Sequence, residues 1–129
     1  MPNMTVTNRS LTGIVIFGAV FEDEILTATG AETWPAGAVL ARVTASGKLV
    51  RLDTGGADGS EVPLAVLTTP VEFTAAGDRT ERPAIAGRVR RGDLVDSADA
   101  ALSDEDIDTL RSYGVIAQVT HELTELDNQ

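Results

Sequence analysis

Short apolar segments separated by turn-forming residues constrain this fold more than any other feature of the sequence. Pro35 with Gly37 and Ser46 with Gly47 mark two turns, and a Gly-rich loop at 53–60 marks a third. Around these turns the sequence predicts strands at 38–44, 48–52, 62–67, 84–89, 94–95 and 115–119. Strands this short at this spacing indicate a β fold rather than a parallel sheet with crossover helices.

One helix is predicted near the C-terminus. Ser103 is its N-cap, and the acidic residues 104–106 fill the first turn, where the helix dipole favours negative charge. Gly114 is expected to end the helix. The predicted buried stripe consists of Ile107, Leu110 and Tyr113. The predicted fold class is therefore mainly β with one short C-terminal helix, arranged as a bent ribbon or small incomplete barrel with an extended N-terminal arm.

The chain of 129 residues is long enough for one domain. Residues 1–27 are predicted as the N-terminal arm, and residues 28–129 as the β-rich domain. The sequence has few aromatic residues and no cysteine, so the core must be built from Val, Leu, Ile and Ala without disulfides. His121 is the only histidine, which excludes a metal site with several histidines.

The apolar run at 13–21 is about half the length of a membrane span, and the N-terminus lacks the basic residues of a secretory signal. We therefore expect a soluble protein made in a cytosol, with no membrane partner. Residues 92–129 carry ten acidic side chains against Arg111 alone. Such a surface repels phosphate backbones, so no nucleic-acid partner is expected.

The loop at 53–60 contains Asp53-Thr54-Gly55, the active-site signature of aspartic proteases. Such enzymes need apolar residues before the aspartate and two carboxylates that share a proton, whereas Arg51 precedes this motif closely. We interpret the loop as an ordinary hairpin turn. A weak calcium site at Asp53, Asp58 and Glu61 is kept as an alternative, although the spacing is not that of an EF-hand.

No group of residues suggests catalysis. His121 has no Gly-x-Ser-x-Gly elbow with which to build a triad, and the acidic residues at the helix start serve the dipole. We therefore expect no catalytic residues, no cofactor and no resident metal. A binding or structural protein is predicted.

Two features suggest contacts with another subunit. Arg88 and Arg90 alternate along a predicted strand, and with Arg91 they could dock an acidic partner or pair with the acidic end of this chain. A lone tryptophan more often fills a core edge or an interface than stacks on a sugar. The candidate interface residues are Trp34, Arg88, Arg90 and Arg91.

The N-terminal arm carries a continuously apolar, β-branched segment at 11–17 that suits a strand covered on both sides. The preceding ten residues are polar, so the segment needs its own core or another chain to cover it. Such a segment is well suited to strand addition to a neighbouring protein. The candidate contact residues are Leu11, Ile14, Val15, Ile16 and Phe17.

Taken in order, these motifs resemble the lambda-type phage head decoration protein D family. The resemblance runs through Pro35-Ala36-Gly37-Ala38-Val39-Leu40, Gly47-Lys48-Leu49-Val50, Asp58-Gly59 and Val62-Pro63-Leu64-Ala65-Val66-Leu67. It continues through Ile85-Ala86-Gly87-Arg88-Val89-Arg90, Leu94-Val95 and the helix, and covers roughly residues 20–129. No single motif is specific, because each is a turn or a strand; the order of all of them carries the resemblance.

The resemblance implies a β-clip fold and a homotrimer on the outer surface of the virion, made in the host cytoplasm. Its partners would be the major capsid protein of an expanded head and its own copies. It implies that trimers clamp the shell against the pressure of packaged DNA, with the arm adding β-structure to capsid subunits. The alternatives are a β-clip surface- or carbohydrate-binding module, for which Trp34 would be the platform, and the aspartic protease.

Overall fold

The computed structural model describes residues 14–119, and the following account concerns this part of the chain. It contains ten strands, a short 3₁₀ helix at Arg91–Asp93 and one α-helix, α1 (Asp104–Tyr113). The strands are β1 (Val15–Phe21), β2 (Glu24–Ala28), β3 (Glu32–Trp34), β4 (Val39–Arg42), β5 (Leu49–Arg51), β6 (Pro63–Val66), β7 (Val71–Phe73), β8 (Gly77–Glu81), β9 (Ala84–Arg90) and β10 (Val115–Gln118).

Eight strands form one curled, half-barrel sheet with the order β1-β9-β6-β4-β5-β2-β8, and β10 pairs in parallel with β9. The other two strands, β3 and β7, form a separate antiparallel pair. The predicted class, mainly β with one short helix near the C-terminus, is confirmed. The open, curled sheet also agrees with the predicted incomplete barrel.

The central strand β4 is buried on both faces. Successive side chains of a strand point to opposite sides, and here Val39 and Ala41 lie in one core cluster while Leu40 lies in another. The first cluster is covered by α1, and the second contains Trp34 and Phe73 from β3 and β7. This two-sided burial explains why the sequence of β4 is continuously apolar up to Arg42.

Helix α1 begins and ends as its sequence predicts. The Ser103 hydroxyl accepts a hydrogen bond from the backbone N–H of Asp106 at 3.2 Å, which caps the first turn. At the other end Gly114 has a left-handed φ of 119° and its N–H donates to the Leu110 carbonyl at 3.1 Å. The capped helix presents Ile107 and Leu110 to the core.

The predicted burial of Tyr113 is wrong, since this residue is 54% exposed. Tyr113 is the last residue of α1, and Gly114 turns the chain directly into β10. The helix face that packs on the sheet ends one turn earlier, at Leu110.

Two predicted connections also differ in the structure. The loop at 53–60 is not a hairpin turn, because β5 and β6 lie on opposite sides of β4 and both pair with it. The loop crosses the end of β4, where the Thr44 N–H donates to the Asp58 carbonyl at 2.9 Å. The predicted strand at 94–95 is reduced to isolated bridges of Val95 to Ala38 and Ala101, because the 3₁₀ helix has already turned the chain away from β9.

The segment predicted as a strand at 11–17 lies partly outside the described residues; within them, β1 spans Val15–Phe21 and so continues beyond the predicted end at residue 17. The predicted boundary of the arm, between residues 27 and 28, lies within β2, and both β1 and β2 belong to the main sheet. Within residues 14–119, the structure has no helix long and apolar enough to cross a membrane.

Candidate functional site

An apolar strand occupies one end of the sheet. Within the described residues β1 pairs with β9 alone, so its second edge has no strand beside it. Its seven residues include no charged side chain. Four large side chains of β1 are exposed, and we call them the β1 surface: Ile16, Phe17, Val20 and Phe21.

Irregular pairing gives the β1 surface two sides. Val15 pairs with Val89, Phe17 with Arg88, Val20 with Ala86 and Phe21 with Ala84, and the register shifts at each step. The shifts go with a left-handed φ of 68° at Gly18. Adjacent residues are therefore exposed together, namely Ile16 with Phe17 and Val20 with Phe21. A flat partner would cover only one side of such a strand, whereas a groove or a strand with flanking side chains would cover both.

A glycine in β9 allows β1 to approach. Gly87 has a φ of 117°, and a Cβ atom placed there would lie 2.7 Å from the Cα of Ala19. That distance is shorter than real Cβ contacts, so a side chain at this position would push β1 away. The position of the β1 surface thus depends on Gly87 of the neighbouring strand β9, because only glycine, which has no Cβ atom, leaves room for β1.

The predicted arm residues occupy different environments. Leu11 lies outside the described residues. Ile14 packs in the core cluster under α1, and its carbonyl accepts a hydrogen bond from the Arg90 N–H at 2.9 Å. Val15 is half-buried, while Ile16 and Phe17 are exposed. Their role in binding a partner stays a prediction.

Sequence reasoning missed Val20 and Phe21 as members of this surface. The signal was present, because the apolar run at 13–21 continues beyond Phe17. The candidate set stopped at Phe17 because the bulge at Gly18 cannot be recognised without its partner strand.

The three arginines predicted as interface residues have neighbours in their own chain. The Arg91 guanidinium forms an ion pair with Asp104 in the first turn of α1, which is the intramolecular pairing with the acidic end of the chain. Arg88 is exposed, and its Nη1 donates to Oε1 of Gln118 at 3.1 Å. Arg90 also has an interaction partner in the chain. Their part in a subunit contact stays a prediction.

Trp34 lies in the core. Its side chain is 2% exposed, its ring centroid lies 4.8 Å from that of Phe73, and its Nε1 donates to Glu32 at 2.8 Å. An indole buried to this extent offers almost no surface to a second subunit or a sugar. Of the two roles that the sequence left open for Trp34, this burial matches filling the core; its part in a subunit contact stays a prediction.

The carboxylates of the loop at 53–60 are occupied by local hydrogen bonds. Asp53 accepts from the Gly55 N–H at 3.0 Å, and Glu61 accepts from the Gly59 N–H at 3.0 Å. Asp58 accepts from the hydroxyl and the N–H of Ser60, and these bonds lower the pKa of Asp58. Within residues 14–119 no group of three or more His, Cys, Asp or Glu side chains is arranged to hold a metal ion.

An acidic cleft of about 450 Å³ lies between this loop and the start of α1. Its acidic lining residues are Glu61, Asp96, Glu105 and Asp106. Burial raises the pKa of Asp106, and the nearby charges of Glu105 and Asp96 raise it further. The cleft therefore concentrates negative charge, and its lining residues include no histidine.

The sequence of this domain matches the model of one protein family. The family model described as Bacteriophage lambda head decoration protein D matches residues 18–115. The chain belongs to this family. No curated protein matches the sequence.

The matched region includes most of the sheet and the whole of α1. Proteins of this family are structural phage head decoration proteins. The chain is accordingly a capsid decoration protein, which binds the phage capsid and lies on its exterior. The match begins at Gly18, so it includes the second half of β1 and its residues Val20 and Phe21.

Proposed function

We propose that this protein binds the outside of an expanded phage head as a homotrimer and stabilises it against the pressure of packaged DNA. In this proposal the major capsid protein is the partner, and the N-terminal part of the chain adds β-structure to a capsid subunit. The contact is mechanical, with no bond-breaking chemistry.

The β1 surface is the observation that carries this proposal. Among residues 14–119 it combines a strand edge without a neighbouring strand with exposed apolar side chains, and proteins rarely leave such a strand uncovered. Strand addition satisfies the free backbone groups of the edge, and the flanking apolar side chains supply burial. Resemblance to the lambda-type family supports the trimer and the clamp.

The absence of an enzymatic role is supported by what the acidic residues do. Asp53, in the protease-like tripeptide, accepts a hydrogen bond from Gly55 and lies in a loop that crosses the end of β4. Arg51, two residues before the motif, lies in β5, and its Nη2 donates a hydrogen bond to Asp99 at 2.7 Å. This arrangement serves to fix loops.

The proposal is tested by binding purified protein to expanded heads that lack it. The variant with Phe17→Asp and Val20→Asp places two charges on the β1 surface, where the side chains project outward and the fold should survive. We expect wild type to co-sediment with the heads and to raise their resistance to heat, and the variant to lose at least about ten-fold in affinity because desolvating a carboxylate is costly.

A matched control uses an exposed apolar residue elsewhere on the sheet. Ile25 lies in β2, which pairs with β8 at the far end of the sheet. The variant Ile25→Asp with Thr80→Asp adds two negative charges at that end, as many as the β1 variant carries. This control should bind heads like wild type. If the β1 variant bound heads as well as wild type while circular dichroism showed an intact fold, the proposed contact would be wrong. The trimer is tested separately, by native mass spectrometry of the free and the head-bound protein.

A further inference from the structure

The two end strands of the sheet have opposite chemical character. At one end β1 exposes four large apolar side chains and carries no charge. At the other end β8 has the sequence Gly-Asp-Arg-Thr-Glu, so three of its five residues are charged. Within residues 14–119 β8 pairs with β2 alone, which leaves its second edge without a neighbouring strand.

The charged residues of β8 include two on the core side of the sheet. Residues directly opposite each other on paired strands share a face, and Arg79 lies opposite Leu26, which is fully buried. Glu81 lies two residues further along, on the same face as Arg79. Where the core would otherwise continue to a further strand, the sheet therefore presents a guanidinium and a carboxylate.

These charges are held in place by contacts within the chain. Arg79 donates to the Glu72 carbonyl at 2.6 Å and forms an ion pair with Glu81 at 3.2 Å. On the opposite face Asp78 pairs with Lys48 at 2.6 Å, and this bond lowers the pKa of Asp78. Both faces of the edge thus carry ion-paired side chains.

We infer that the charges of β8 prevent the apolar β1 of a second copy from adding to this edge. An incoming β1 would place its apolar side chains against Arg79 and Glu81 on one face and against Asp78 on the other. It would remove water from these ion pairs, and its apolar side chains would offer no hydrogen bonds in place of that water. Inward-pointing charges on an edge strand are a known defence against edge-to-edge pairing.

The consequence concerns assembly between identical chains. A free apolar edge at one end of a sheet and a receptive edge at the other would allow head-to-tail addition, and such contacts form open filaments unless the rotation closes. Because β8 carries charged residues, the protein can expose β1 without assembling into such filaments. The inference does not depend on the proposed capsid contact, since it concerns purified protein alone.

The test converts β8 to an uncharged strand in the full-length chain, using Asp78→Thr, Arg79→Val and Glu81→Val. A matched variant removes the same set of charges from exposed positions of α1, with Glu105→Ala, Asp108→Ala and Arg111→Ala. We expect sedimentation velocity to give the β8 variant a weight-average mass at least about two-fold above wild type, growing with concentration. The α1 variant should sediment like wild type.

A further substitution decides whether the new contact uses β1. Adding Val20→Lys to the β8 variant places a charge on the β1 surface and should restore the wild-type sedimentation profile. The inference is overturned if the β8 variant sediments like wild type at every concentration, or if its larger species persist with Val20→Lys. Should the triple variant fail to fold by circular dichroism, the double variant Arg79→Val with Glu81→Val, which removes both charges from one face of the edge, must show the same β1-dependent growth, and its absence would equally overturn the inference.

Discussion

Gly87 is the residue at which one added carbon atom would most disturb the proposed binding surface. Its φ of 117° disfavours any other residue, and a Cβ atom would clash with Ala19 of β1. We expect Gly87→Ala to lower the free energy of unfolding by at least about 1 kcal/mol and to speed hydrogen exchange in β1. Urea unfolding and hydrogen-exchange mass spectrometry measure the two effects.

The control for this change is Gly92→Ala. Gly92 is exposed, and a Cβ atom there would meet nothing within 4 Å. Its stability and its β1 exchange should match wild type. Equal exchange of β1 in the Gly87 and Gly92 variants would show that β1 is not held by this close approach.

Asp106 gives a second prediction at the residue scale, based on pH. Burial raises its pKa in the folded protein, so between the ordinary and the raised pKa the folded state holds a proton that the unfolded state has lost. The contribution of this group to stability therefore rises as pH falls through that range, and above the range the partly desolvated charge lowers stability. We expect the free energy of unfolding of Asp106→Asn, relative to that of wild type, to be higher at about pH 7 than at about pH 4.

Thermal unfolding of Asp106→Asn and wild type at the two pH values measures this difference. Asp108→Asn removes the same charge from an exposed position of the same helix and serves as control. A stability difference for Asp106→Asn that stays constant with pH would contradict the assignment.

Among the elements, α1 shows what can be predicted from residues that are close together in the sequence. Its N-cap, its acidic first turn and its terminal glycine all lie within the helix or next to it, and each was predicted correctly from the sequence. The error at Tyr113 arose because the period of a helix does not reveal where the surface that it packs against ends.

The strands were less accessible to sequence reasoning. Four of them, β2, β3, β7 and β8, were not predicted, and their sequences contain charged residues or are only three residues long. Pairing with a neighbour makes them strands, as with Arg79 opposite Leu26. The crossing of the loop at 53–60 was missed for the same reason, because composition does not tell on which side of β4 the next strand will lie.

The cap of α1 gives a prediction at the element scale. Ser103→Ala removes the hydroxyl that accepts from the Asp106 N–H, and should cost about 1 kcal/mol of unfolding free energy. Ser97→Ala is the comparison, since Ser97 is exposed and its backbone N–H, which the substitution keeps, donates to the Leu52 carbonyl. Equal midpoints for the two variants in urea would argue against the cap.

At the scale of the whole molecule, stability and binding are assigned to different residues. Leu40, in the strand covered on both faces, is fully buried, and Leu40→Ala should cost about 2–5 kcal/mol. Phe17→Ser should change stability by no more than about 0.5 kcal/mol, because the side chain is exposed. Calorimetry compares them, and a large loss for Phe17→Ser would mean that β1 supports the fold rather than a partner.

The candidate site was only partly predictable at this scale. An apolar N-terminal strand was identified from its own residues, and the family from the order of turns and strands. The sequence could not show that Ile14 would be taken into the core while Phe17 stays outside, since that depends on how β1 bends at Gly18 against Gly87. The same applies to Arg91, whose partner Asp104 is brought near by the fold.

The burial of β4 on both faces has a consequence for variation among related chains. A strand with a water-facing side can accept drift at every second position, whereas Val39, Leu40 and Ala41 each touch a core. Tolerance to substitution should therefore fall to a minimum at these three neighbouring positions and rise toward both rims of the sheet. Foreign peptides for display would be inserted with least damage at those rims, in exposed loops such as the one between β7 and β8.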